Sequence, residues 1–169
     1  FFRSARAGSE RILMKHFDKE SLGRELREGV AQLPFAVSEE QIEKMLAYLA
    51  LLVKWNSVYN LTSVRDPHEM IKLHILDSLS AVHAFAGVES ILDVGSGGGL
   101  PAIILAIMYP ETAVSMIDIV NKKTAFLTQV KAELKLKNVT VHTGRVELLK
   151  VEHPFQVIKC QWHYRKTRY

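Results

Sequence analysis

The spacing of apolar residues along this chain changes near residue 90. Before that point it is helical. Leu22, Leu26 and Val30 stand four apart, Asp18 can cap the turn ahead of them and Pro34 stops the run, so the pattern predicts a helix over 18–32. Ser38 and Gln41 make an S-x-x-Q capping box ahead of Ile42, Met45, Leu46, Leu49, Leu52 and Val53, which keep a helical period. Asp66 at an N-cap, Pro67 at N1 and Glu69 at N3 open a third helix, expected to reach about Phe85 before Gly87 ends it. The intervening "WNSVYNLTSVRDP" (55–67) is polar and aromatic and has no period.

From residue 90 onward, short apolar runs alternate with helical stretches. "SILDVG", "TAVSMID" and "NVTVHTG" read as strands and "PFQVI" as a short fourth, with helices expected over 100–109 and 120–136. Such alternation with short connections implies right-handed crossovers and a parallel sheet. The expected fold class is α/β: a Rossmann-like sheet, incomplete at its C-terminus, with an N-terminal helical cap. The divisions expected are 1–13 as an extension outside the fold, because Met14 looks like a natural start; 14–86 as the cap; 87–158 as the partial α/β domain; and 159–169 as a basic aromatic tail. That tail, "KCQWHYRKTRY", continues neither pattern. Doubly wound sheets usually have five or more strands, so the chain reads as the first part of a longer domain whose end is truncated or altered.

Composition changes the picture only a little. With 48% hydrophobic and 24% charged residues the chain suits a soluble globular protein. The apolar run "MLAYLALLV" (45–53) is too short for a bilayer, and "FFRSARAGSERIL" lacks the apolar region of a secretory signal, so no membrane partner is expected. A single cysteine, Cys160, excludes an internal disulfide framework and a Cys-rich zinc site, and suits a reducing cytoplasm. The net charge of +4 leans toward a polyanionic partner.

The chemistry concentrates in "ILDVGSGGGLPAIILA" (91–106), a glycine loop between strand and helix. Gly95 allows the tight turn, Gly97 the close approach of a ligand, and Gly99 the packing of the helix on the strand. A dinucleotide fingerprint would place its last glycine where Leu100 stands. Pro101 also removes a helix N-terminal N–H that a pyrophosphate would use. Asp118, at the end of the second strand, is placed to accept hydrogen bonds from ribose hydroxyls. These features fit a nucleoside without an essential phosphate, and S-adenosylmethionine leads that class.

"YNLTSVRDPHEMIKLHILDSL", "LDVGSGGGLP", "KKTAFL" and "GRVE" together resemble the bacterial ribosomal RNA small subunit methyltransferase G (GidB) family, over about residues 14–158. The resemblance implies a cytoplasmic enzyme with a class I S-adenosylmethionine-dependent methyltransferase sheet. It would methylate N7 of a guanine in small-subunit (16S) ribosomal RNA, free or within the 30S particle, and act as a monomer. Gly95 and Leu100 would contact the cofactor from the loop, and Val146 and Glu147 would contact it near the adenine. Three departures stand out. Ala102 and Ile104 replace a glycine and a proline common in the family, and the family's cofactor-binding arginine after the fourth strand falls near Gln161.

Guanine N7 offers an in-plane lone pair and carries no proton at neutral pH. Its methylation needs orientation rather than a base, and no catalytic residue is assigned. His74, Asp77 and Ser78 share a helix face, but a hydrolase triad draws its members from separate elements, so they are read as orienting the cap at a substrate cleft. His83, His142 and His153 lack metal-ligand spacing, and no metal is expected. Candidate substrate contacts are Arg65, Lys72, His74, Lys122 and Lys123; Lys131, Lys135 and Lys137 fit a solvated face equally well. Trp55 and Tyr59 either pack the cap on the sheet domain or stack on an unpaired base. The alternatives to an rRNA methyltransferase are an inactive fragment or RNA-binding module, and a small-molecule methyltransferase.

Overall fold

A computed structural model describes residues 17–160. The expectations for 1–13, Gln161 and the rest of the tail lie outside these residues. Helix α1 (Lys19–Ala31) is capped by Asp18, whose carboxylate accepts from the Glu20 and Ser21 amides. Helix α2 (Glu39–Tyr59) carries both halves of its capping box. Ser38 Oγ accepts from the Gln41 amide at 3.2 Å and Gln41 Oε1 from the Ser38 amide at 2.9 Å. Asn60 closes α2 in the left-handed conformation, turning the chain into the aperiodic segment.

The third helix differs from expectation. It starts as α3 (Pro67–Met70) behind the Asp66 cap, widens into a π-helical segment at Ile71–Leu76, and returns to α-helix in α4 (Asp77–Ser80). A separate 3₁₀ turn, Val82–Phe85, follows Ala81. Met70, Ile71, Ile75 and Leu79 are fully buried along this stretch. Their spacing serves an α turn and a π turn equally, so the apolar pattern could not distinguish the two.

Among the described residues, four parallel strands form one sheet in the order β3-β2-β1-β4: β1 (Ser90–Val94), β2 (Ala113–Asp118), β3 (Val139–Thr143) and β4 (Val157–Cys160). Helix α5 (Ala102–Met108) links β1 to β2 and α6 (Asn121–Leu134) links β2 to β3. The two crossovers step in one direction across the sheet, and crossovers of one hand then place both helices on one face; α2 packs against both. The buried apolar residues make a continuous core from Leu22 of α1 to Val139 of β3. Among the described residues no helix is long and apolar enough to cross a membrane.

Two boundaries need correction. Helix α5 begins at Ala102, with Pro101 at its N-cap, so Leu100 and Pro101 stay in the loop instead of the helix. Strand β4 continues through Lys159 and Cys160, two residues assigned to the tail. Lys159 pairs in register with Asp93 and Cys160 with Val94. A lysine in a short run conceals strand character until its buried partner is known.

Candidate functional site

The sheet reverses its order beside β1: the chain steps from β1 outward to β3, then returns to add β4 on the other side. In open α/β sheets ligands bind beyond the carboxyl ends of the strands at such a reversal. The glycine loop sits there. Its first residue is tied to the neighbouring strand, the Gly95 amide donating to the Ile117 carbonyl at 2.8 Å. Gly99 is at φ +84°, and a Cβ there would lie 2.6 Å from Leu127 Cδ2 and 2.8 Å from Ile103 Cγ1. A side chain at this position would meet α6 and the first turn of α5.

Asp118 is buried at the end of β2. One carboxylate oxygen accepts from the Gly97 amide at 3.1 Å and the other from the Val120 amide at 2.9 Å. The acid thus organises the glycine loop and still lines a cavity of about 340 Å³ with Gly95, Ile119, Arg145, Val146 and Glu147. Carboxylates suited to ribose hydroxyls and apolar walls suited to an adenine ring occur together in this cavity. Four of the seven expected cofactor contacts meet here: Gly95, Asp118, Val146 and Glu147.

The other three open onto neighbouring spaces that share the loop or pack beneath it. Gly97 lines a cavity of about 500 Å³ with Gly98, Thr62, Arg65 and Lys123. Leu100 lines a third, of about 460 Å³, with Pro101, His74, Asp77, Ser78 and Lys159. Gly99 is buried in the packing described above.

Asn56, whose role the pattern did not reveal, shapes the aperiodic segment that reaches this region. Its side chain donates to the Val64 carbonyl at 3.1 Å and accepts from the Thr62 amide at 2.9 Å, while its carbonyl accepts from Arg65 Nη1 at 3.1 Å. Arg65 Nη2 also donates to Asn60 Oδ1. Arg65 is thereby held at the cavity beside Lys123. His74 Nε2 lies 2.8 Å from Thr62 Oγ1.

The remaining cationic candidates lie elsewhere. Lys72 sits 3.9 Å from Glu25 of α1, and Lys122 lies over the Tyr59 ring, 6.0 Å from its centroid. Lys131, Lys135 and Lys137 border a shallow groove at the far end of α6. Ser78 Oγ donates to the His74 carbonyl at 2.6 Å, so the His74–Asp77–Ser78 group makes no catalytic relay. The Trp55 ring lies 5.7 Å from Phe126 and 5.4 Å from Tyr59, which is the packing role weighed for it.

Two further residues underpin the loop. Tyr48, fully buried in α2, donates its hydroxyl to the Gly98 carbonyl at 2.7 Å. The available signal was a phenol on an otherwise aliphatic face, which needs a polar partner. Asp93, fully buried in β1, lies 3.4 Å from Lys159 Nζ through Oδ1, and among the described residues its Oδ2 has no hydrogen-bond partner. Burial pushes the Asp93 carboxyl up, against the charge of Lys159. Lys159 Nζ also lies 3.3 Å from the Leu100 carbonyl, spanning β1 and the end of the loop.

A parallel sheet reversing at β1, a glycine loop after that strand and an acid closing the next define a Rossmann-like nucleoside-binding domain. Sequence comparison gives the family. Residues 41–161 match the rRNA small subunit methyltransferase G (GidB) family, and the chain belongs to it. It is 60% identical over 149 residues to ribosomal RNA small subunit methyltransferase G of Herminiimonas arsenicoxydans, covering 86% of this chain and 68% of that protein. The Janthinobacterium sp. (strain Marseille) protein of the same name is 56% identical with the same coverage. That of Pseudomonas paraeruginosa is 55% identical over 135 residues, covering 79% of this chain and 63% of the relative. The chain thus spans about two thirds of the length of these relatives. Coclaurine N-methyltransferase, solved with N-methylheliamine and SAH, aligns at a TM-score of 0.47 and 16% identity over 90% of this chain and 55% of that one.

Proposed function

We propose that this chain binds S-adenosylmethionine and belongs to a cytoplasmic protein, acting as a monomer, that methylates N7 of a guanine in small-subunit ribosomal RNA. The observation that carries the reading is the cavity at the carboxyl ends of β1 and β2. There Asp118 and Glu147 supply acceptors for ribose hydroxyls, and Ile119 and Val146 supply apolar walls for adenine. When bound, the cofactor supplies an electrophilic methyl group on a sulfonium. Guanine N7 presents its lone pair without losing a proton, so the protein's work is orientation, and no side chain has to act as a base. Arg65 and Lys123 line the neighbouring cavity beside Gly97 and Gly98 and supply positive charge for RNA phosphates.

Titration calorimetry with S-adenosylmethionine tests the cofactor half of this reading. Gly95 is at φ +73° and lines the cavity, so Gly95→Asp both strains the backbone and places a carboxylate in the cofactor's space. Binding by the wild type that is lost in a Gly95→Asp protein that still unfolds in one cooperative transition supports it. Equal binding by both rejects it. Labelled cofactor incubated with undermethylated small ribosomal subunits or with naked 16S rRNA then tests the acceptor.

A further inference from the structure

We propose that the cleft between the π-helical segment and the end of the glycine loop receives the acceptor base, and that Asp77 reads it as guanine through the N1–H and the N2 amino group. This deepens the methyltransferase reading and rests on it.

The cleft, of about 460 Å³, lies at the reversal between β1 and β4. It shares the glycine loop with the cofactor cavity but has its own walls: Leu100 and Pro101 on one side, Leu73, His74 and Asp77 on the other. The second wall is the π-helical segment Ile71–Leu76 and the turn just after it. Single π turns within α-helices occur frequently at functional sites. Here the buried side of the segment is served by residues that an ordinary α turn would also bury, so packing alone does not call for the wider turn.

Hydrogen-bond accounting separates Asp77 from its neighbours. His74 Nε2 is engaged by Thr62, Ser78 Oγ by the His74 carbonyl, and Lys159 Nζ by Asp93 and the Leu100 carbonyl. Among the described residues, the Asp77 carboxylate has no partner, while its backbone amide donates to the His74 and Lys72 carbonyls and its carbonyl accepts from Ser80 Oγ. An ionised carboxylate accepts and cannot donate. Guanine presents two adjacent donors, N1–H and N2–H, matched to its two oxygens. Adenine presents the bare N1 acceptor there and is repelled. An acid on that edge leaves guanine N7 free on the opposite edge of the purine. Leu73, 58% exposed at the rim, offers an apolar surface for the base face.

The test uses this chain without cofactor and RNA hairpins that carry one unpaired guanine, inosine or adenine. Cys160, the sole cysteine, is exposed and lines the cleft, so its rate of alkylation by N-ethylmaleimide reports occupancy. The guanine hairpin is expected to bind roughly tenfold tighter than the adenine one, with inosine between, and to slow alkylation of Cys160. Asp77→Asn should bring the guanine and adenine affinities within about twofold while leaving S-adenosylmethionine affinity and the thermal melt unchanged. Equal affinity of the wild type for guanine and adenine hairpins overturns the proposal. So does a guanine preference that survives in Asp77→Asn, binding that leaves Cys160 unprotected, or no hairpin binding at all. Because no cofactor enters the hairpin assay, a failure of cofactor binding is scored separately.

Discussion

The Tyr48 hydroxyl donates to the Gly98 carbonyl at 2.7 Å, joining a helix near the start of the chain to the loop that follows β1. Burial pushes the phenol well above its ordinary range, so it remains a donor at any pH the protein meets. A helix outside the sheet's crossovers thereby fixes one carbonyl of the ligand-binding loop. Tyr48→Phe keeps the ring and leaves that carbonyl unpaired. The expected cost is about 1 kcal/mol of stability together with weaker S-adenosylmethionine binding, read by chemical denaturation and calorimetry on the same protein. A loss of stability with unchanged cofactor affinity would remove Tyr48 from the site.

Asp93 and Lys159 give a second prediction. The Asp93 side chain is 1% exposed and that of Lys159 is 29% exposed. Removing the cation strands a buried carboxylate, so Lys159→Ala should destabilise the fold by roughly 1–3 kcal/mol at neutral pH and recover part of that loss in acid. Lys159→Ala with Asp93→Asn should be closer to the wild type than Lys159→Ala alone.

The direction of the Asp93 shift also sets a pH dependence. Its folded-state carboxyl is raised above the unfolded value, so the folded form holds the proton more tightly. Its contribution is fully present below the ordinary carboxylate range and is lost as pH rises through the raised value. Denaturation curves across that range should show Asp93→Asn removing this part of the decline. A variant whose pH profile runs parallel to the wild type's would contradict the assignment.

At Gly99 the left-handed backbone and two close side-chain atoms act together. Gly99→Ala should cost about 2 kcal/mol or more, because the strain of the backbone adds to the displacement of Leu127 and Ile103. A thermal melt measures it. Gly87 is also at positive φ, but a Cβ there meets nothing within 4 Å, so Gly87→Ala should cost only the backbone part.

Asp118→Asn retains one acceptor oxygen for the Gly97 and Val120 amides, whereas Asp118→Ala retains none. Cofactor affinity should fall by about tenfold in Asp118→Asn and further in Asp118→Ala, measured by calorimetry. Equal affinity in all three proteins would mean that neither the loop nor the ribose depends on this acid.

The legible parts of the site were those bound to local pattern. The glycine loop follows a strand, Asp118 closes the next strand, and both are visible in order along the chain. Val146 and Glu147 came through family resemblance, and the cavity they share with Asp118 and Gly95 brings them together. Tyr48, Asn56, Asp93 and Lys159 were not identified, because each acts through a partner far away in sequence or through backbone groups that every residue carries. Lys72, expected with Arg65 as a substrate contact near the third helix, sits beside Glu25 of α1.

The sequence alone determined the α/β class, the capped helices, the four strands and the position of the loop, because periodicity, caps and glycine spacing are local constraints. Only the tertiary structure decided which helix supports Gly98, that the third helix widens around His74, and that β4 runs on through Lys159. Those outcomes depend on packing and on satisfying buried polar groups across the fold. A hydroxyl on an apolar face or a lysine in a strand has no settled role until its partner is in place.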